Sequence, residues 1–189
     1  MVLDNRLTPA SVMLLYVMLN YECRTNTCSL FTANKLACFL KRLGDESFRD
    51  LKFETGNNGV YSDQVRGILQ SVNGKYLRGL EQPDVAVFQP LDLHCGDFIA
   101  LSDYIQNTLT RQQQRNANTV NNLISYCQPG LLLLDMLATA AFIVENNPSM
   151  KEADIIQQIK LSYPGTQEIV GPRYVTSILF RHGMNANLN

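Results

Sequence analysis

Phe53-Glu54-Thr55-Gly56-Asn57-Asn58-Gly59-Val60-Tyr61-Ser62-Asp63 lies between two segments of helical period and is unusual punctuation for a plain connector. Two glycines flank a pair of asparagines, so left-handed backbone is open at up to four successive positions. The chain can fold tightly there and present Tyr61 and Asp63 outward. The plain alternative is a connection from strand to helix, with Asp63 in the first helical turn at the positive end of the helix dipole. The residues alone leave these two readings even, because loops carry both turns and binding sites.

Upstream, the pattern from residue 32 predicts a helix with Leu36, Phe39, Leu40 and Leu43 on one face and Lys35, Lys41 and Arg42 on the other. Gly44 is placed to end it in the left-handed conformation. Residues 51–54 alternate apolar and charged, which predicts a short half-buried strand. Downstream, Ser62 is placed to cap a helix whose inner face is Val65, Ile68, Leu69 and Val72, and Asn73-Gly74 breaks it. Residues 75–80 return to alternation and 85–88 form a third candidate strand. The expected sheet has two or three short strands.

Further out, Thr8-Pro9 opens a largely apolar first helix, Thr8 as cap and Pro9 where its missing N–H costs nothing. Cys23 to Asn26 should be the turn after it. Phe98, Leu101, Ile105 and Leu109 keep helical spacing, whereas 111–122 is almost wholly polar and reads as a solvated bend or a mobile loop. Residues 131–146 form an apolar core helix containing Asp135, shorter than the ~20 apolar residues of a bilayer span. Ser149 and Glu152 have capping-box spacing, Gly171-Pro172 starts the last helix and Gly183 ends it. The expected fold is mainly α, of the α+β class: one compact helical domain over 1–189 with a small sheet, divisible at most into sub-lobes 1–90 and 91–189.

The 189 residues are 46% apolar with a net charge of −1, enough to bury a substantial core. No Lys/Arg block is present to neutralise a run of phosphates, which argues against direct nucleic-acid binding. The five cysteines show no C-x-x-C pair and residues 1–5 do not read as a secretory leader, so a reducing cytoplasm is the expected location. For catalysis the chain is poor. Of two histidines only His94 lies beside a cysteine, Cys95, and no motif gives that pair a mechanical context. Cys23, Cys28, Cys38 and Cys95 lack the paired spacing of structural zinc sites, and no Gly-rich loop is followed by Lys-Ser/Thr. The expectation is no catalytic residue, no metal and no cofactor.

Between Arg78 and Arg111 there is no Lys or Arg, while Glu81, Asp84, Asp92, Asp97 and Asp103 all fall there. These acids either favour the start of a helix or form a negative face that meets a basic groove on a partner. The last two helices, with Arg173, Arg181 and His182, admit a winged-helix-like reading as a nucleic-acid-binding regulator. Their connection, 161–171, is longer than a helix-turn-helix allows.

Lys35-Leu36-Ala37-Cys38-Phe39-Leu40, Leu51-Lys52-Phe53, Gly59-Val60-Tyr61-Ser62-Asp63 and Gly74-Lys75-Tyr76-Leu77-Arg78-Gly79 together resemble the C-terminal domain of the DarG antitoxins. Leu137-Ala138-Thr139 and Arg181-His182-Gly183 look like that domain's later helices, so the resemblance covers most of the chain. Val60 stands where the family usually has proline, Asn58 where it often has an aromatic residue and Cys38 where it often has tyrosine. A more distant likeness is to the Panacea (SocA-like) antitoxin domain. Nothing in the chain resembles the macrodomain that forms the enzymatic half of the DarG family. The resemblance implies a non-catalytic antitoxin domain that binds a DarT-like ADP-ribosyltransferase toxin and covers its single-stranded DNA cleft by mimicry. Glu54, Asn57, Asn58, Tyr61 and Asp63 would be contacts, Asp84, Asp92 and Asp97 an acidic surface, and Tyr61 or Phe88 would stack where a base would. The alternative remains a regulator of a toxin-antitoxin operon acting through the terminal helices.

Overall fold

The computed structural model of the chain describes residues 5–82, 85–93, 98–127, 130–166 and 171–184. The described residues form a mainly helical domain: α1 (Pro9–Thr25), α2 (Leu30–Arg42), α3 (Asp63–Gln70), α4 (Phe98–Asn107), α5 (Arg111–Ile124), α6 (Leu131–Asn146), α7 (Glu152–Ser162) and α8 (Pro172–Arg181), with one antiparallel hairpin, β1 (Glu54–Gly56) and β2 (Gly59–Tyr61). The mainly α expectation with a small sheet therefore holds. Asp84, Asp97, His94 and Cys95 lie outside the described residues.

α2 is the axis of the packing. Among the described elements it packs most extensively against α6, and it also meets α1, α3, α5 and β2. Every residue from Leu30 to Leu40 is buried, including Lys35 at 0% exposure. The expected charged face of this helix therefore does not exist at Lys35: the helix is enclosed on all sides, and its lysine must find partners inside. Lys41 and Arg42, a turn and more further on, are half-buried.

Several helix ends are where local chemistry puts them. Thr8 and Ser11 form a reciprocal capping box at α1, with Pro9 at the first position. α1 runs on through Cys23 to Thr25, beyond the expected turn, and stops at Asn26 in the left-handed conformation (φ 62°). Gly44 and Gly183 follow α2 and α8 at φ 74° and 75°.

Other expectations are corrected. Residues 111–122 are neither a bend nor a loop but most of α5, capped by Thr110 and Gln113. Its polar face is partly buried because Asn116 Nδ2 donates to Asp45 Oδ2 at 3.0 Å and Gln113 Nε2 to Ser47 Oγ at 2.9 Å. The Ser149–Glu152 capping box does not form: α7 begins at Glu152 with Lys151 as cap and no side-chain cap bond. The strand expected at 51–54 shrinks to β1, which starts at Glu54. Residues 75–80 make single bridges, Asn73 with Leu77 and Arg78 with Asp92, and Val87 O only accepts from Phe31 N at 2.8 Å. Alternation at 75–80 thus serves isolated backbone bonds, and among the described residues the sheet has two strands.

Candidate functional site

The hairpin is built by its sequence and then pinned from below. Glu54 pairs with Tyr61, Thr55 with Val60 and Gly56 with Gly59, leaving Asn57-Asn58 as the tip. Of the four positions open to left-handed backbone only Gly59 uses it (φ 71°), the arrangement of a tight turn followed by one left-handed residue. A Cβ there would lie 2.1 Å from Asp135 Oδ1 and 2.8 Å from Lys35 Nζ, so glycine is required for close approach as well as for φ.

Beneath Gly59 lies a buried charge cluster. Lys35 Nζ donates to Asn58 O at 2.7 Å and Val60 O at 2.8 Å, and its third partner is Asp135 Oδ1 at 2.8 Å. It also sits 4.3 Å from the centroid of the Phe31 ring. Asp135 Oδ2 accepts from Tyr163 Oη at 2.7 Å, and Thr139 Oγ1 bonds the same phenol oxygen at 2.8 Å. With the phenol proton committed to the carboxylate, Thr139 is the donor in that second bond. The cluster runs from the turn after α7, through α6 and α2, to the hairpin backbone. Burial pulls the Lys35 ammonium below its ordinary pKa, opposed by the charge of Asp135. The Tyr163 phenol is pushed upward, chiefly by burial.

Two further side chains of α2 fix the hairpin's ends. Asn34 Oδ1 accepts from Ser62 N at 2.7 Å, and the expected Ser62 cap makes no side-chain bond to α3, the Val65 N–H going to the Ser62 carbonyl instead. Lys41 Nζ donates to Leu51 O at 2.6 Å and pairs with Glu145 Oε1 at 3.1 Å, tying the chain just before β1 to α2 and α6.

A cleft of about 340 Å³ opens between the start of α2, the hairpin, the start of α3 and residues 85–87. Leu30, Phe31, Val60, Val85 and Val87 give it apolar walls, and Asn57, Asn58, Tyr61, Ser62, Asp63 and Arg66 its polar boundary. Phe88, 52% exposed, stacks on Phe31 with ring centroids 4.7 Å apart. Of the residues singled out in the sequence, Asn57, Asn58, Tyr61 and Asp63 converge on this cleft. Glu54 is beside them, accepting from Tyr61 Oη at 3.4 Å. Tyr61 is half-buried and the others are exposed, so Tyr61 is less freely presented than expected.

Asp92 does not join them. It is exposed and does not line the cleft, and its backbone bridges Arg78 (N–H to O 3.0 Å, and 2.8 Å in return). Glu81 is also exposed. Its carboxylate accepts from Gly79 N and is held below its usual pKa chiefly by that bond.

Comparison of the chain with protein-family models gives no match, and comparison with curated proteins gives none. Among the described residues no three or more His, Cys, Asp or Glu side chains are grouped to hold a metal ion, and no helix is long and apolar enough to cross a membrane. The residues missed by sequence reasoning are Lys35, Asp135 and Tyr163. A signal existed: Asp135 is a lone carboxylate in an apolar run, and a charge that cannot reach water needs a partner.

Proposed function

We propose that this protein is a non-catalytic antitoxin domain that binds a DarT-like ADP-ribosyltransferase and occludes its single-stranded DNA cleft. One observation supports the reading beyond the sequence resemblance: two of the segments that resemble the DarG domain, the Lys-Leu helix and the Gly59–Asp63 loop, are joined by direct hydrogen bonds. Lys35, from the Lys-Leu helix, holds the backbone of the Gly59-Val60 loop, and that loop sets out Asn57, Asn58, Tyr61 and Asp63 along one rim, with Glu54 beside them. A rim of amides, carboxylates and a phenol supplies hydrogen-bond acceptors where a DNA strand would supply phosphate and base edges. Asp84, Asp92 and Asp97 belong to the proposed acidic surface, which would steer association with a basic groove.

Purified protein added in equimolar amount should suppress DNA ADP-ribosylation by a cognate DarT-like transferase. Undiminished modification overturns the reading. Tyr61→Ala with Asp63→Ala should weaken the complex while leaving the thermal melt in place, and unchanged affinity removes the loop from the interface.

A further inference from the structure

The two edges of the hairpin are unequal. Along β2, α2 supplies side chains where a third strand would lie: Lys35 Nζ donates to Asn58 O and Val60 O, and Asn34 Oδ1 accepts from Ser62 N. Residues 58, 60 and 62 alternate by two, so the outward edge of β2 is turned to α2 and held there. Thr55 stands opposite Val60 in the ladder. Directly opposed residues of an antiparallel pair either bond each other or both turn outward, and Val60 turns outward to Lys35. The N–H and C=O of Thr55 therefore point away from β2, and neither has a partner among the described residues. All three residues of β1 are exposed, and the strand has neither the proline nor the bulge that closes an edge.

Hydrogen bonding and charge select the occupant. A donor and an acceptor on one outward residue are matched by another extended backbone, which supplies both, whereas a phosphate chain supplies acceptors only. The charge beside the edge is negative. Glu54 is exposed and accepts only a long bond, from Tyr61 Oη at 3.4 Å. It shares a notch of about 240 Å³ with Asp63 and Lys52, two carboxylates to one ammonium. On an added strand, the residue opposite Glu54 would have its Cβ about 4.5–5.5 Å away, within reach of an ion pair. A second copy of this chain, paired antiparallel about Thr55, would instead set Glu54 diagonal to its own counterpart at about 7–8 Å, like charge against like.

We propose that the open edge of β1 takes up an extended strand from a protein partner, paired through the Thr55 N–H and C=O, with a lysine or arginine of that strand opposite Glu54. The assignment rests on the antitoxin reading for the partner's identity, the strand then belonging to the transferase, but not for the edge's chemistry. Main-chain bonds would supply affinity and the side chain opposite Glu54 selectivity. The hold of α2 on β2 suits this use, because the edge is ordered before the partner arrives and the entropy of pairing falls chiefly on the partner's segment.

The test is amide-resolved NMR on the full chain with two probes. One is a cognate DarT-like transferase; the other is a heptapeptide alternating lysine and valine, compared with the same peptide N-methylated at its valines, which would lie opposite Thr55. Bound transferase should slow hydrogen exchange at the Thr55 amide at least about tenfold. Thr55→Pro removes that donor at an edge position that tolerates proline, and should weaken the transferase complex about tenfold while leaving the Val60 and Ser62 amide shifts in place. Thr55→Val keeps the donor and should bind as the wild type does. If Thr55→Pro disturbs the hairpin, the exchange result on the wild type decides. The unmodified peptide should shift Thr55 saturably, and the N-methylated one should bind roughly fivefold more weakly. Transferase binding that leaves Thr55 exchange unchanged overturns the proposal and spares the antitoxin reading. Equal affinity for the two peptides, or shifts centred elsewhere, also overturns it. Thr55 exchange that slows as the protein alone is concentrated assigns the edge to a second copy and overturns the partner strand. Peptide pairing at Thr55 with no transferase binding at all supports the edge and sinks the antitoxin reading alone.

Discussion

Lys35 Nζ lies 2.8 Å from Asp135 Oδ1, with the two side chains only 1% and 15% exposed, and the same ammonium holds two backbone carbonyls of the hairpin. One ion pair thereby joins two largely buried helices, α2 and α6, to the exposed hairpin tip. Removing either partner leaves a buried charge without compensation, which is where large destabilisation originates.

Lys35→Met should lower the unfolding free energy by ~3–5 kcal/mol in urea titration. Asp135→Asn should cost less, because the amide oxygen can still accept from Lys35 at the Oδ1 position while the amide NH2 donates to the Tyr163 phenol oxygen. Combining Lys35→Met with Asp135→Leu should cost less than the sum of the single changes; strict additivity would mean that the pair is not coupled.

Gly59→Ala should be far worse than Gly74→Ala. Both glycines have positive φ, 71° and 82°, which costs alanine ~1–2 kcal/mol. Only at Gly59 does the new methyl meet Asp135 and Lys35, whereas at Gly74 nothing lies within 4 Å. Overpacking should add ~1–3 kcal/mol at Gly59, read as a lower urea midpoint at unchanged slope.

Tyr163→Phe should cost ~1–2 kcal/mol, since it removes the phenol bonded to Asp135 and Thr139. A double-mutant cycle with Asp135→Leu, which removes both carboxylate oxygens, should give a coupling of at least ~0.5 kcal/mol. Zero coupling would separate Tyr163 from the hairpin support.

Buried thiols should make the protein sensitive to alkali. Burial raises Cys28 and pushes Cys38 and Cys127 up to about 12, well above the ~8.5 of an unfolded cysteine. The native state then keeps protons that the unfolded chain releases. The stability these groups contribute is complete below about pH 8.5 and is lost as pH rises toward 12, by up to ~1.4 kcal/mol per pH unit for each thiol. Lys35, lowered by burial, acts in the opposite sense by at most one proton. Urea midpoints should therefore fall between pH 8 and 10, and a flat profile would contradict the burial. In a Cys95→Ser background one thiol, Cys23, should react rapidly with an aromatic disulfide at pH 7.5, and the other three only on unfolding.

The legible parts of the fold are those specified by neighbours in sequence. Thr8-Pro9, Gly44, Gly171-Pro172 and the apolar run of α6 each act within a turn or two. The parts that were not legible depend on distant partners. Asn116 is tolerated inside because Asp45 receives it, and so a polar stretch folds as α5. Lys35 occupies an interior position because Asp135 and two hairpin carbonyls receive it. Alternation at 75–80 resembled a strand, but pairing there stops at isolated bridges. The site divides in the same way. Glu54, Asn57, Asn58, Tyr61 and Asp63 are contiguous in sequence and remain contiguous in space, while Asp92 is joined to them only by composition and lies outside the cleft.

Lys35 grips the hairpin through the carbonyl oxygens of Asn58 and Val60, groups that every amino acid carries. Its hold is therefore blind to the identity of the side chains at 54, 57, 58 and 61. Those positions form an exchangeable vocabulary on a constant mount: a lineage facing a changed partner can rewrite the words at the tip without renegotiating the fold, provided that Gly59 stays as the silent letter between them.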